Sequence, residues 1–169
     1  ITSREAHAGW HETGGAAANA GVQLVEVGRG GLFTADEFLA AIKPRGLPVF
    51  PPTTLVQVEN THNRGGGRVW AQDEVQRICA AARERGIASF LDGARLWNAA
   101  VASGRSEADL AAPFDLVAVA FSKGLGARFM MRGNTTRAQA FALGAAAGAG
   151  FGFLEGLLYG AAGISSELG

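Results

Sequence analysis

The chain reads as an α/β protein with a mostly parallel sheet and flanking helices, on three observations. Short apolar runs at Val22–Val27, Thr53–Val58, Ile87–Leu91 and Leu116–Phe121 alternate with helical segments, the pattern of βαβ units. The best helix, Gln72–Arg85, sets Val75, Ile78, Cys79 and Ala82 at i, i+3, i+4 and i+7, with Gly86 behind it as a stop. Three of the runs also end in chemically useful residues. Thr53–Val58 leads into Glu59-Asn60-Thr61-His62-Asn63, Ile87–Leu91 into Asp92-Gly93-Ala94-Arg95, and Leu116–Phe121 into Ser122-Lys123-Gly124. An acid, a guanidinium and an amine at the exits of parallel strands converge on one crevice, where open α/β sheets bind ligands.

Taken in order, a helix starts near Gly15, and Gly28-Arg29-Gly30-Gly31 is a turn cluster after the first strand. Thr34 opens the next helix as its N-cap, with Glu37 at the capping-box spacing and Phe33 and Phe38 at the staple positions. Phe38, Leu39 and Ile42 form its inward stripe, and Pro44 stops it by lacking an N–H. Gly46–Pro52 carries three prolines and is a loop, and Gly65-Gly66-Gly67 is a flexible turn. Helices at Leu96–Ala102 and Glu107–Ala111 separate the last two strands. Phe129-Met130-Met131 reads as a short strand. Residues 144–163 are mostly glycine and alanine, and glycine costs about 1 kcal/mol per helical position, so this tail is a poor helix.

Bulk properties narrow the function classes. At 169 residues the chain suits one domain with a real core. Fifteen basic and fifteen acidic side chains cancel, which argues against a nucleic-acid binder. No apolar run reaches the roughly 18 residues of a membrane span. The single cysteine, Cys79, excludes an internal disulfide framework and fits a reducing, cytoplasmic compartment. The sequence begins at Ile1 with no initiator Met and no signal segment, the expectation for a piece of a longer protein.

By themselves the strand-exit residues leave alternatives open. Lys123 is either an amine placed to form an imine with a cofactor aldehyde or a solvated surface lysine. Asp92 is either a partner for a protonated ring nitrogen or a helix N-cap. Arg95 either grips a planar acceptor or makes a surface salt bridge. Arg128 and Arg132 read as isolated, solvated charges.

Together, Glu59-Asn60-Thr61-His62-Asn63-Arg64-Gly65-Gly66-Gly67, Asp92-Gly93-Ala94-Arg95-Leu96-Trp97-Asn98-Ala99 and Ser122-Lys123-Gly124-Leu125-Gly126-Ala127 resemble the low-specificity L-threonine aldolases. The spacing agrees, with 30 residues from His62 to Asp92 and 31 from Asp92 to Lys123. The resemblance implies a partial large domain of a fold-type-I pyridoxal 5′-phosphate (PLP) lyase over residues 1–127, followed by a divergent Gly/Ala-rich tail over 128–169. It implies retro-aldol cleavage of a β-hydroxy-α-amino acid, threonine to glycine and acetaldehyde. It also implies a homo-oligomer, dimer or tetramer, with an amino-acid substrate and no metal.

Residue by residue, the resemblance makes Lys123 the lysine that carries PLP and Asp92 the pyridinium partner. Arg95 becomes a cofactor and substrate contact. His7, in a pattern completed by Glu12, Gly14 and Gly15, becomes the ring stacked on PLP. His11 stands where the family usually has an aromatic residue and is given no chemical role. His62 and Asn63 are given loop-structuring or cofactor-adjacent roles, and Ser122 is either a hydrogen-bond donor near the cofactor or a plain strand-end serine.

Four departures are visible. The family starts roughly 70 residues earlier, with a loop whose backbone N–H groups hold the phosphate. Val49 and Pro52 stand where the family often has a histidine and an arginine. Arg128-Phe129-Met130-Met131 replaces Pro-Val-Gly-Ser, and the small domain with its carboxylate-binding arginine has no counterpart. These departures frame the alternative of a truncated, non-catalytic remnant with weak or no PLP binding. A shifted reading frame in GC-rich DNA is the expectation for the tail.

Overall fold

Burial of one helical stripe organises the sheet. The computed structural model describes residues 1–46 and 48–124. The chain divides into two units, Ile1–Ala120 and Phe121–Gly169, each taken by itself. The strand expected at Phe129–Met131 and the poor helix of 144–163 lie outside the described residues.

In the first unit, strands β1 (Thr2–Ser3) and β2 (Glu26–Val27) pair in parallel, and β3 (Leu55–Glu59), β4 (Ala88–Gly93) and β5 (Leu116–Val119) form a parallel sheet in that order. Ile1 joins the two: its ammonium donates to the Leu55 carbonyl at 2.8 Å, and its own carbonyl accepts from the Gln57 N–H at 2.8 Å. The first segment thereby lies alongside β3 in the bonding pattern of a parallel pair. The helices are α1 (His7–Trp10), α2 (Gly15–Ala20), α3 (Ala35–Ala41), α4 (Gln72–Glu84), α5 (Leu96–Ser103) and α6 (Glu107–Ala111), with a 3₁₀ turn at Glu12–Gly14.

The predicted stripe of α4 is the core. Val75, Ile78, Cys79 and Ala82 are all buried, and they join Val56 and Val58 of β3, Leu91 of β4, and Phe33 and Phe38 around α3. Full burial of a Val, Leu, Ile or Phe side chain contributes about 1.5–3 kcal/mol, so this layer is the main source of stability. Thr34 caps α3 as its sequence predicts: Thr34 Oγ1 accepts the Glu37 N–H at 3.1 Å and Glu37 Oε2 accepts the Thr34 N–H at 2.8 Å. A second acid reaches the same helix end, with Glu74 of α4 accepting the Ala35 N–H at 2.6 Å.

β4 and the start of β5 are pinned by one polar cluster. The Ser89 N–H and hydroxyl both donate to Asp115 Oδ2 at 2.8 Å, which holds that carboxyl below its usual range. Burial pushes the neighbouring Cys79 thiol up to about 11, while a hydrogen bond from Ser89 and the charge of Arg83 pull the other way.

Strand boundaries differ from the sequence reading: β3 runs Leu55–Glu59 rather than Thr53–Val58, and β4 runs Ala88–Gly93 rather than Ile87–Leu91. The second strand is confined to Glu26–Val27, the residues in register with β1, and Val25 adds only its carbonyl, which accepts the Thr2 N–H at 3.0 Å. The last strand stops at Val119 rather than Phe121, where its pairing with β4 ends at Gly93.

Removing the α3 cap in Thr34→Ala should cost about 1 kcal/mol, and Thr34→Ser should restore most of it, as read by denaturant unfolding. The raised Cys79 thiol gives an alkaline signature. Its contribution to stability is complete below the unfolded-state value of 9.0 and drains as pH rises through about 11. Unfolding measured across that window should show stability falling in the parent chain and a flatter profile in Cys79→Ala.

Candidate active site

Every strand of the parallel sheet runs the same way, so the exits of β3, β4 and β5 share one end. Register does the rest. Glu59, the last residue of β3, sits directly opposite Asp92 of β4, and Asp92 sits opposite Ala118 of β5. The Asn60 N–H donates to the Asp92 carbonyl at 3.0 Å and carries the ladder one residue past the strand.

Asp92 is half-buried, and its Oδ1 accepts the Ala94 N–H at 3.2 Å. This local turn settles one alternative. The N-cap of α5 is Arg95, without a side-chain cap bond, so Asp92 is not the helix cap. Gly93 is dictated by packing: a Cβ there would stand 2.8 Å from the Ala118 carbonyl oxygen of the adjacent strand. Arg95 is half-buried, and among the described residues no ion pair engages it.

His7 opens α1. Its N–H donates to Glu59 Oε2 at 2.7 Å, its Nε2 lies 2.9 Å from Glu12 Oε1, and its ring stacks on His11 at 4.6 Å and 28°. The sequence reading gave His11 no role; the structure makes it the support of one face of the His7 ring. Nearby, Arg64 lies 4.0 Å over the Trp10 ring and 3.9 Å from Glu5.

Glu59 is the residue that sequence reasoning named only as part of a motif. It is 3% exposed, and its second oxygen accepts the Asn63 N–H at 2.9 Å while its carbonyl accepts from Trp70 Nε1 at 3.0 Å. The signal was present in the sequence, as a carboxylate at the end of an apolar run. Its partner, His7, lies 52 residues away, and no local pattern reports that.

His62 is fully buried, and its Nδ1 accepts the Gly65 N–H at 2.9 Å. A neutral ring with Nδ1 accepting carries its proton on Nε2, which lies 3.7 Å from Glu59 Oε2. Gly31 adopts φ +86°, and a Cβ there would collide with the His62 ring. The loop-structuring role expected of His62 and Asn63 fits these contacts.

Lys123 lies in the turn Phe121–Lys123 of the second unit, four residues beyond the end of β5, with Ser122 beside it in sequence. In the first unit the structure therefore brings His7, Glu59, Asp92 and Arg95 to one sheet end. A cavity of about 280 Å³ lies elsewhere, at the opening of β3 between Ile1, Val22–Val25 and Pro51–Leu55, and contains none of them. Among the described residues no group of acidic, histidine or cysteine side chains forms a metal cluster.

The parallel sheet and the helices over it define an α/β domain of fold type I. The Beta-eliminating lyase family matches residues 1–129, and the chain belongs to that family. It is 35% identical over 130 residues to low-specificity L-threonine aldolase 1 of Arabidopsis thaliana, covering 75% of this chain and 36% of that protein. It is 39% identical over 129 residues to an aldolase of Penicillium aethiopicum, covering 75% of this chain and 32% of that protein. Among solved structures, a putative L-allo-threonine aldolase of Listeria monocytogenes superposes with TM-score 0.62 at 28% identity, over 75% of this chain and 33% of that one. The chain thus spans about a third of the length of these relatives.

Gly93→Ala should lower stability by about 1–3 kcal/mol, since the clash is with backbone that cannot rotate away. Thermal unfolding with far-UV circular dichroism checks it, and a wild-type Tm would contradict the packing argument.

Proposed function

We propose that this chain carries the cofactor-binding part of a PLP-dependent lyase that cleaves β-hydroxy-α-amino acids by a retro-aldol reaction, threonine giving glycine and acetaldehyde. The observation that carries the reading is the pairing of Glu59 and Asp92 at one sheet end, with His7 bonded to Glu59. Family membership and the aldolase relatives support it.

The residues present fit the cofactor by their chemistry. Asp92 spends one oxygen on the Ala94 N–H. The other suits a protonated pyridine nitrogen. Arg95, without an ion pair among the described residues, suits a phenolic oxygen or a substrate carboxylate. The His7 ring, 30% exposed and held on one face by His11, suits stacking on the other. Lys123 would hold the cofactor covalently through its amine.

When bound, PLP supplies the electron sink for breaking the Cα–Cβ bond. Asp92 would keep the proton on the ring nitrogen, and Arg95 would orient the substrate. Removal of the β-hydroxyl proton releases the aldehyde; His7, an ordered water and the Lys123 amine are the candidate bases. A homo-oligomer and a reducing, cytoplasmic setting belong to the same reading. Exposed Leu116, Val117 and Val119 on β5 and the buried free thiol of Cys79 support them.

One observation favours a second reading. The chain spans only about a third of its relatives' length, so a non-catalytic remnant with weak or no PLP binding is the alternative.

Adding PLP to the full chain decides between them. The first reading expects an absorbance band near about 420 nm that disappears in Lys123→Ala and weakens in Asp92→Asn, with acetaldehyde released from threonine. No Lys123-dependent band supports the remnant; ammonia and a keto acid in place of aldehyde would indicate β-elimination.

A further inference from the structure

Resting on the reading above, we infer that Glu59 is the positioning residue for His7, fixing that ring's distance from Asp92. Helix α1 is a single turn whose N-cap residue, Ala6, has no side-chain acceptor. Its first N–H must find a partner elsewhere, because helix N-termini leave their donors unpaired. Glu59 Oε2 supplies it at 2.7 Å, in the range of a charge-assisted bond. The other oxygen accepts the Asn63 N–H at 2.9 Å, so one carboxylate ties α1 to the loop after β3.

Glu59 is in turn held on several sides. It is 3% exposed, ends β3 opposite Asp92, and gives its carbonyl to Trp70 Nε1. The His62 Nε2 atom stands 3.7 Å from Oε2, too long for a good hydrogen bond. Position therefore passes from the sheet register through Glu59 to the His7 backbone. Beyond the backbone, Glu12 and His11 orient the imidazole. Glu59 touches no reacting atom; it acts through His7.

The test uses the full chain and three variants. Glu59→Met keeps the volume and removes both acceptors. Glu59→Gln keeps one acceptor for two donors. His7→Ala removes the ring alone. Without cofactor, amide hydrogen exchange is read at His7, at Asn63 and along β3 and β4. With PLP, the readouts are the circular dichroism induced in the cofactor band and the kcat and KM for threonine.

Faster exchange confined to His7 and Asn63 is expected in Glu59→Met, with the cofactor still bound but its induced dichroism reduced. A displacement of this kind lowers kcat by about a hundredfold, with a much smaller change in KM. Glu59→Gln should recover part of each effect. Adding His7→Ala to Glu59→Met should cost little more, because the two act as one unit.

Wild-type exchange at His7 in Glu59→Met overturns the inference. So does faster exchange spread evenly over β3 and β4, which marks a purely structural role. Should Glu59→Met fail to fold, Glu59→Gln decides: unchanged exchange at both His7 and Asn63 overturns it. A parent chain without a Lys123-dependent band defeats the proposed function, while the exchange data still rule on Glu59.

Discussion

Five residues of parallel pairing between β3 and β4 are the constraint on which the site depends. The register Leu55↔Ala88 through Glu59↔Asp92 does two things at once. It turns Val56, Val58 and Leu91 toward α4, and it sets two carboxylates side by side at the strand exits. Because side chains alternate along a strand, a slip of one residue would put Val58 on the wrong face and separate the acids. The hydrophobic layer and the polar edge are therefore specified by the same alignment. The core cannot be kept while the site is lost by slippage, and this is why a short strand suffices.

The polar edge carries a burden that the core does not. Glu59, Asn60, Thr61 and His62 are all buried, and buried polar groups are costly unless bonded. The loop after β3 meets most of the need with its own backbone. Gly65 donates to His62, Asn63 donates to Glu59, and the His62 N–H donates to the Arg68 carbonyl at 2.9 Å. Close approach makes this possible: Gly31 has no Cβ to strike the His62 ring, and Gly65 lies against the Gly30 carbonyl. Two glycine turns far apart in sequence thus pack through one imidazole. His62 serves as a spacer whose ring nitrogen also terminates a loop N–H.

How much of this was legible follows the range of each interaction. The α4 stripe and the Thr34–Glu37 capping box are local, with both partners within a turn or two, and the sequence displays them directly. Strand ends are not local. Val22–Val25 has the apolar character of a strand but lies outside the paired register and lines a cavity. The pairing of Ile1 with β3 spans more than fifty residues and is invisible to any periodicity. The same holds for His7 and Glu59: each was visible as a residue type, and the bond between them was not. The stacking of His11 on His7 is a contact that no sequence pattern reports.

Asp92 shows how far a site can be argued from physics before family knowledge is needed. An aspartate between a strand and a helix is usually a cap, and sequence leaves that reading open. The structure closes it, because α5 starts at Arg95 and the Asp92 carboxylate turns back on the Ala94 N–H instead. The acid is half-buried and tied by one oxygen, and among the described residues the guanidinium three positions on has no ion pair. Fold alone does not assign chemistry to it, since one architecture hosts many reactions. The proposed role rests on the conjunction: an acid released from capping, a fork-shaped cation three residues on, and an imidazole anchored to the neighbouring strand's carboxylate. Each has a mundane alternative taken singly. For Asp92 the structure removes it, and for His7 it replaces a frayed terminus with a bonded, stacked ring.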